Sequence, residues 1–381
     1  IIRVYEAVNL PAFARNPGDF DYRKYLKSID VYGQIYVDQS RILSSESGAE
    51  KLGFLLIIRN TILKKLASSS LNEKPRGMIE ALVLGQRQNV DPQVTQSFRD
   101  AGVIHILALS GLHVGIILLI LRFFTRRILR IKYGRWIQSA VLIILLWSFA
   151  LLTGMSPSIM RAVTMFSFVA VGMNLKRKGS VYHGLTLPAF VLLIYDPRLL
   201  FQVGSQLSYT AVFSIVLIQP VLSGLWTWRH KVKDFFWSIF TVTLAAQIGV
   251  AGVSLFYFHQ FPGLFILGNM LLLPLLPLII GTALLLIVLL LIGVPTDWLA
   301  ASLNVVLEFI IETVAKISSL EAFIIRDVHI SFWETVLIYV VLFSLVLFLL
   351  PYFKRSKRER FYLKKPNWML HLSLTAVILL I

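Results

Sequence analysis

The sequence contains no cysteine and few charged residues, and both absences limit what the protein can be. Without a thiol there can be neither a disulfide framework nor a thiolate metal site. Charged residues make up 15% of the chain, whereas a soluble chain of this length carries roughly 25%. The apolar residues, 57% of the total, instead form runs of about 20, the length that crosses roughly 30 Å of hydrocarbon. A soluble domain is therefore excluded, and the predicted fold class is a polytopic α-helical membrane protein.

Seven apolar runs are predicted to cross the membrane once, and one longer run is predicted to cross it twice. The single spans are 103–124, 136–152, 159–175, 182–195, 203–222, 235–258 and 332–352. The run 263–294 is too long for one crossing at about 1.5 Å per residue. Pro274 and Pro277 lie inside it, so we expect two segments with a break between them. The total is about nine or more membrane segments.

Basic residues indicate the orientation of these spans. The chain has 37 Lys and Arg against 20 Asp and Glu, a net charge of +17. They cluster at 122–135, 176–178, 229–233 and 354–365, and loops rich in Lys and Arg stay on the cytoplasmic side. With these loops inside, the spans alternate without adjustment, and the residues before Ala101 lie outside. A charge excess is also typical of nucleic-acid-binding proteins, so charge alone leaves both explanations open.

Residues 1–50 differ from the remainder and are predicted to be the C-terminal part of a β domain. Alternating apolar and polar residues at 2–8 and 31–37 predict two strands, with a turn at 16–19 and one or two helical turns at 20–26. Two strands alone are not stable, so further strands are expected upstream. Because the chain starts in this segment and stops inside an apolar run, we expect it to be part of a longer protein.

Residues 51–100 are predicted to connect this β domain to a membrane domain at 101–381. At 51–66, apolar residues at helical spacing lie opposite Arg59, Lys64 and Lys65. A helix with this pattern suits the membrane surface, and it equally suits the surface of a soluble domain.

Polar side chains inside the first span indicate a protein interior or a pathway, because they are costly in hydrocarbon. This span carries His105, Ser110 and His113. A Ser–His pair is typical of hydrolases, but no carboxylate stands nearby to orient the imidazole and the Gly-x-Ser-x-Gly elbow is missing. The two histidines also lack the spacing of a helical metal-ligand pair. We therefore expect polar packing, with Ser110 and Gly111 breaking the helix where another backbone approaches.

Two further spans begin with polar residues. Ser156 is the predicted N-cap of the third span, Pro157 suits the first helical position, and Arg161 follows about one turn later. Arg161 can extend to the outer surface or point inward as a fixed cation for phosphate. The fifth span contains Ser205 and Gln206, which predict either hydrogen bonds between helices or a hydrated lining.

A polar stripe marks the segment 298–319. Its members fall four residues apart and so share one helix face: Asn304, Glu308, Glu312 and Lys316. Such a helix either lies on the outer membrane surface or turns its stripe toward a water-filled cavity.

The order of the short motifs resembles that of the ComEC-type competence proteins. The residues that resemble the first family motif are LVLGQR at 82–87, FRDAG at 98–102 and HILALSGLHVG at 105–115. The second motif is similar to SPSIMRA at 156–162 and the third to QLSY at 206–209. NPGDFDY at 16–22 resembles the link between the family's extracytoplasmic OB-like domain and its membrane domain. The resemblance covers nearly the whole chain in the right order.

The resemblance implies a channel that carries one strand of transforming DNA across the bacterial cytoplasmic membrane. It also implies partners: an extracytoplasmic DNA receptor, a nuclease and a cytoplasmic translocation ATPase. Many members carry a metallo-β-lactamase-like nuclease domain, and this chain has no His-x-His-x-Asp-His run, so no enzyme, cofactor or metal is predicted within these residues. In the OB-like part, the residues available to stack on bases are Tyr5, Tyr32 and Tyr36, although two of them equally suit the interior of that domain.

A path for single-stranded DNA needs polar walls, a few cations and surfaces that tolerate any base. The residues predicted to line it come from three spans and are Arg161, Gln206, Ser205, Ser110, His105 and His113. The alternatives are a small-molecule or ion transporter, an intramembrane enzyme, or an assembly subunit. An ion-coupled transporter would normally hold a carboxylate in a span, and here only the stripe residues Glu308 and Glu312 offer one.

Overall fold

A computed structural model describes residues 2–4, 8–11, 22–28, 31–35, 42–45, 54–174, 181–226, 228 and 230–353. Within these residues the α-helices are α1 Tyr22–Ser28, α2 Phe54–Ala67, α3 Glu73–Leu84, α4 Pro92–Asp100, α5 Ile104–Leu107, α6 Gly111–Thr125, α7 Gly134–Leu152, α8 Pro157–Gly172, α9 Val181–Tyr195, α10 Val203–Ser223, α11 Lys231–Phe258, α12 Phe265–Ile292, α13 Asp297–Ser318 and α14 Phe332–Phe353. The strands are β1 Ile2–Val4, β2 Ile42–Ser45, β3 Gln260–Pro262 and β4 Ile324–Arg326.

Five of the described helices are long and apolar enough to cross a membrane: α7, α10, α11, α12 and α13. Shorter apolar helices lie within α8, α9 and α14. The predicted single spans from 136 onward each coincide with a helix, because a run of apolar residues that excludes charge also excludes most helix breakers. The count of about nine or more membrane segments stays a prediction.

The predicted break in the run 263–294 is wrong. Residues from Phe265 to Ile292 form the single helix α12, and both Pro274 and Pro277 lie inside it. Each proline removes only one backbone donor, and a helix in an apolar setting tolerates this loss when its neighbouring turns keep their own hydrogen bonds. The sequence here is otherwise rich in leucine, a strong helix former, and it continues on both sides of the prolines.

The N-terminal segment contains part of one predicted strand and one strand that was not predicted. β1 lies within the predicted strand 2–8 and is antiparallel to β2 at Ile42–Ser45. Residues 31–35 make only an isolated bridge, between Asn9 and Gln34. The helical turns predicted at 20–26 are confirmed as α1. The turn predicted at 16–19 lies outside the described residues.

The chain divides into two compact units, and the first comprises Ile1–Asp91, Ile106–Gln202 and Ile279–Phe309. The helix α2, predicted from its pattern, is confirmed, and it leads into α3, of which nine residues are buried. Such burial requires a partner for the carboxylate of Glu80, which accepts a hydrogen bond from Asn89 and lies 3.9 Å from Arg76. The predicted position of residues 51–100 at a surface does not explain why α3 is so extensively buried.

The turn between α2 and α3 packs against the start of α13. Ser70 donates to Asp297 at 2.8 Å, and its carbonyl accepts from Asn304 at 3.0 Å. Asn72 donates from its backbone to Asn304 at 2.9 Å and from its side chain to Glu308. Two of the four stripe residues, Asn304 and Glu308, thus hydrogen-bond to this turn. Neither predicted position of the stripe helix included such a contact.

The second unit comprises Pro92–His105, Val203–Leu278 and Ile310–Ile381. Here α10 and α11 pack closely, because Gly249 lets the backbone of α11 approach Thr210 and Ser214. The Ser214 hydroxyl donates to the carbonyl of Ala245 at 2.7 Å. Tyr339 of α14 donates to Gly249 at 2.6 Å, which fixes α14 against α11. β3, which follows α11, pairs with β4, which precedes α14, in an antiparallel ribbon.

Candidate functional site

The first predicted span is broken at the residues that carry its polar side chains. α5 ends at Leu107 and α6 begins at Gly111, with Ser110 extended as the N-cap. The Nδ1 atom of the buried His113 accepts the Ser110 backbone N–H at 3.4 Å and lies 3.0 Å from the Ser110 hydroxyl. His113 therefore takes the place that Glu or Gln has in a capping box. The expected helix break is confirmed.

Arg161 lies one turn into α8, which begins with Pro157 at its first position as predicted. The side chain is only 3% exposed, so it does not extend to an outer surface of this unit. A Cβ atom at Gly111 would lie 3.8 Å from the Cβ of Ala162, so the start of α6 contacts α8 beside Arg161. The structure thus brings Ser110, His113 and Arg161 to the adjoining starts of two packed helices.

The electrostatics of this region favour an anion. Helix N-termini carry partial positive charge, and here two of them adjoin a buried guanidinium. The sequence between residues 101 and 195 contains ten basic residues and no Asp or Glu. No carboxylate from α6, α7, α8 or α9 can therefore neutralise Arg161.

The motif at 82–87 packs against the segments that precede α6 and α8. Gly85 ends α3 with φ 71°, and a Cβ there would lie 2.9 Å from Leu109 and 3.3 Å from the carbonyl of Thr153. Next to it, Arg59 of α2 donates to the side chain of Gln86 at 2.9 Å. Sequence reasoning treated Arg59 only as part of a basic helix face, and its partner could not be identified without the fold.

The other predicted pathway residues belong to the second unit. His105 lies in α5 and is exposed, Ser205 is buried in the first turn of α10, and Gln206 is half-buried beside it. Helix-to-helix hydrogen bonding is seen further along α10, at Ser214. That the six residues line one path stays a prediction.

The remaining predicted residues can also be located. Of the stripe, Asn304 is buried and Glu308 half-buried against the α2–α3 turn, whereas Glu312 and Lys316 are exposed. Tyr32 is exposed, and Tyr5 and Tyr36 lie outside the described residues. Within the described ranges, no three His, Asp or Glu side chains are close enough to hold a metal ion.

Asp100 is a site residue that the sequence analysis missed. Its carboxylate is largely buried and accepts from Gln260 at 3.0 Å, from Arg326 at 3.2 Å and from Gln96 of its own helix. It thereby joins α4 to both strands of the β3–β4 ribbon. The adjacent Gly102, with φ 74°, leaves no room for a Cβ against Pro262. The only local signal was the motif at 98–102, because the partners are 160 and 226 residues away.

Replacing Asp100 with alanine is expected to lower the free energy of unfolding by about 2 kcal/mol, because three donors lose a buried acceptor. Arg326→Ala is expected to cost about 1 kcal/mol or less, since that side chain is half exposed. Thermal unfolding of the purified protein in detergent measures both. A larger loss for Arg326→Ala than for Asp100→Ala would contradict this assignment.

In the part of the chain that the structure describes, five membrane-length helices and three shorter apolar ones define a polytopic α-helical membrane protein. A family model described as Competence protein matches residues 82–352, and the chain belongs to this family of ComEC-type competence proteins. That range contains all three motifs that resemble those of the family.

Individual relatives agree with the family. The chain is 30% identical over 264 residues to ComE operon protein 3 of Bacillus subtilis, covering 69% of this chain and 32% of that protein. It is 25% identical over 259 residues to Recombination protein 2 of Haemophilus influenzae, covering 64% and 31%. For Competence protein ComA of Neisseria gonorrhoeae the values are 28% over 146 residues, 37% and 21%. The chain thus spans about a third or less of these three relatives. No solved structure matches the chain.

Proposed function

We propose that this chain forms the membrane part of a channel that passes single-stranded DNA across the bacterial cytoplasmic membrane during natural transformation. The family, and relatives named for competence and recombination, support DNA uptake as the process. The observation that carries the proposal is the burial of Arg161 where α6 and α8 begin.

A buried cation suits a strand that carries one negative charge per nucleotide. A guanidinium binds phosphate oxygens through paired donors, and it does so without reading the base. The capped start of α6 adds backbone N–H groups at the same place, held by the Ser110–His113 contact. Because the chain has no acidic residue between 101 and 195, none of the helices α6 to α9 carries a carboxylate that would reduce this positive field.

The orientation we propose has residues before Ala101 outside and the basic loops inside. Since α12 is one helix, the second crossing once expected between 263 and 294 is assigned to α13, which is long enough to span. Each loop then stays on the side of the membrane predicted for it. Asp100, β3 and β4 all fall on the outer side in this scheme, in agreement with their mutual hydrogen bonds in the second unit.

In the first unit, the same scheme makes α2 and α3 a re-entrant hairpin. Gly85 contacts the α7–α8 turn, which is outside, whereas Ser70 contacts the start of α13, whose preceding loop is inside. The 12 residues of α3 span about 18 Å, less than the roughly 30 Å of hydrocarbon. α3 is therefore too short to cross the hydrocarbon, and we propose that the hairpin enters from outside and turns back beside the start of α13.

Because the chain has no cysteine, single introduced cysteines report this orientation directly. In spheroplasts, Ala322→Cys between α13 and β4 is expected to react with a membrane-impermeant maleimide. Lys132→Cys, in the basic loop after α6, should react only after permeabilisation. The reverse pattern would invert the proposed orientation.

The remaining assignments rest on the family. We propose that the N-terminal segment belongs to an extracytoplasmic OB-like domain that delivers the strand. We also propose that an external DNA receptor, a nuclease and a cytoplasmic ATPase act with the channel. Replacing Arg161 by an uncharged side chain of similar length, with DNA uptake measured in the natural host, tests the proposed function.

A further inference from the structure

A cavity of about 290 Å³ lies within the first unit, at the ends of three packed helices. It is bounded by the C-terminal ends of α6 and α8 and by the first turns of α7. The polar residues that line it are Arg122, Arg135, Gln138, Ser139 and Asn174. It lies at the opposite end of α6 and α8 from Arg161 and is separate from the proposed DNA path.

The polar wall of this cavity is fixed by hydrogen bonds. Asn174 donates to the Ser139 hydroxyl at 2.7 Å, and Ser139 donates to the carbonyl of Ala170 at 2.9 Å. Gln138 donates to Thr125 at 3.2 Å and is itself buried. A preformed wall of this kind loses little freedom when a ligand binds.

Two guanidinium groups, those of Arg122 and Arg135, lie on the lining. Neither takes part in an ion pair within the part of the chain that the structure describes. Their own helices cannot supply an opposite charge, since the chain has no Asp or Glu from 101 to 195. The positive charge of the lining therefore favours the binding of an anion from outside the chain.

The surroundings indicate that this anion is attached to an apolar body. Beside the polar groups, the lining includes Leu118, Leu142 and Val169. Large exposed aromatic side chains stand at the same helix ends: Phe123, Phe124, Tyr133 and Trp136. Aromatic residues next to basic ones at the end of a spanning helix are typical of the headgroup layer of a membrane.

We propose that this cavity binds the headgroup of an anionic phospholipid, with its phosphate between Arg122 and Arg135 and its glycerol against the apolar wall. The volume is at the lower limit of small-molecule pockets, which suits one headgroup and is too small for a strand of DNA. Basic pockets between membrane helices take such headgroups by the same pairing.

The test uses the purified protein in detergent and measures its thermal midpoint as lipid is added. Phosphatidylglycerol should raise the midpoint, and phosphatidylcholine with the same acyl chains should not. In the double variant Arg122→Gln/Arg135→Gln, the apparent affinity for phosphatidylglycerol should fall roughly fivefold for each charge removed, so roughly 25-fold. The matched control is Arg127→Gln/Arg130→Gln, which removes the same charge from the same loop but lies off the cavity, and it should keep the wild-type affinity.

A second variant tests the same cavity without removing any charge. Val169→Trp fills the cavity from a partly exposed position without changing charge, and it should also weaken phosphatidylglycerol binding. The proposal is overturned if Val169→Trp binds as wild type, or if the control loses as much affinity as the cavity variant. It is likewise overturned if inorganic phosphate alone reproduces the effect, or if oligothymidine displaces the lipid, because the ligand would then be a free anion or a nucleic acid.

Discussion

Replacing Arg161 with methionine is expected to lower DNA uptake by about a hundredfold or more while the protein stays folded in the membrane. Methionine keeps most of the length and apolar volume of arginine and removes the charge and all donors. Charge-assisted hydrogen bonds contribute roughly 1.5–3 kcal/mol each, and a phosphate passing Arg161 could take two from one guanidinium. The measurement is transformation frequency in the natural host, with the amount of membrane-inserted protein determined on the same cells.

Two further variants separate a pathway role from a structural one. Arg161→Lys keeps the charge and should retain a measurable fraction of uptake, well above that of the methionine variant. Arg127→Gln removes a cation from the exposed loop after α6 and should transform normally. Wild-type uptake in Arg161→Met would remove Arg161 from the pathway and with it the main support for the proposed channel.

Replacing Gly249 with alanine is expected to lower the free energy of unfolding by about 3 kcal/mol, an effect at the upper end for overpacking. The added Cβ would lie 2.6 Å from the carbonyl of Thr210 and even closer to the Cβ of Ser214. Both contacts involve backbone or the stem of a side chain, so neither can be relieved by a rotamer change. Separating the helices would also break the Ser214–Ala245 hydrogen bond and strain the contact of Tyr339 with Gly249.

Gly204 in α10 provides the matched control. A Cβ at Gly204 would meet no heavy atom within 4 Å. Gly204→Ala should therefore leave stability unchanged or raise it by up to about 1 kcal/mol through helix propensity. Thermal unfolding in detergent gives both values. Equal midpoints for the two variants would mean that α10 and α11 do not depend on close backbone approach.

The membrane helices were the part of the fold that sequence could predict. Their signal is local, since a run that must satisfy its own backbone in hydrocarbon is helical whatever its neighbours are. The local sequence wrongly predicted a break in α12, because Pro274 and Pro277 are usually helix breakers. The leucine-rich turns on both sides of them keep the helix continuous. The local sequence also failed to show that α3 is buried, because the charges of Arg76 and Glu80 are compensated only in the folded chain.

For the candidate site, sequence predicted the kinds of residue better than their contacts. The helix break at Ser110 and Gly111 followed from residue types, and the structure adds that His113 caps the new helix. Whether the Arg161 side chain is exposed or buried depends on the packing of α6 against α8. The spacing of apolar residues along the sequence does not indicate that packing. The Asp100–Arg326 contact was out of reach because 226 residues separate the partners and neither stands in a strong pattern.

The contact between the α2–α3 turn and α13 has a consequence for how the protein is made. Ser70 and Asp297 are 227 residues apart, and a ribosome that adds about 5–20 residues per second needs about 10–45 s to cover that distance. During this interval the hairpin has already emerged, but Asn72 and the Ser70 carbonyl lack the partners that Asn304 and Glu308 later supply. In the orientation proposed above, these polar groups of the hairpin therefore lack those partners until α13 has been synthesised.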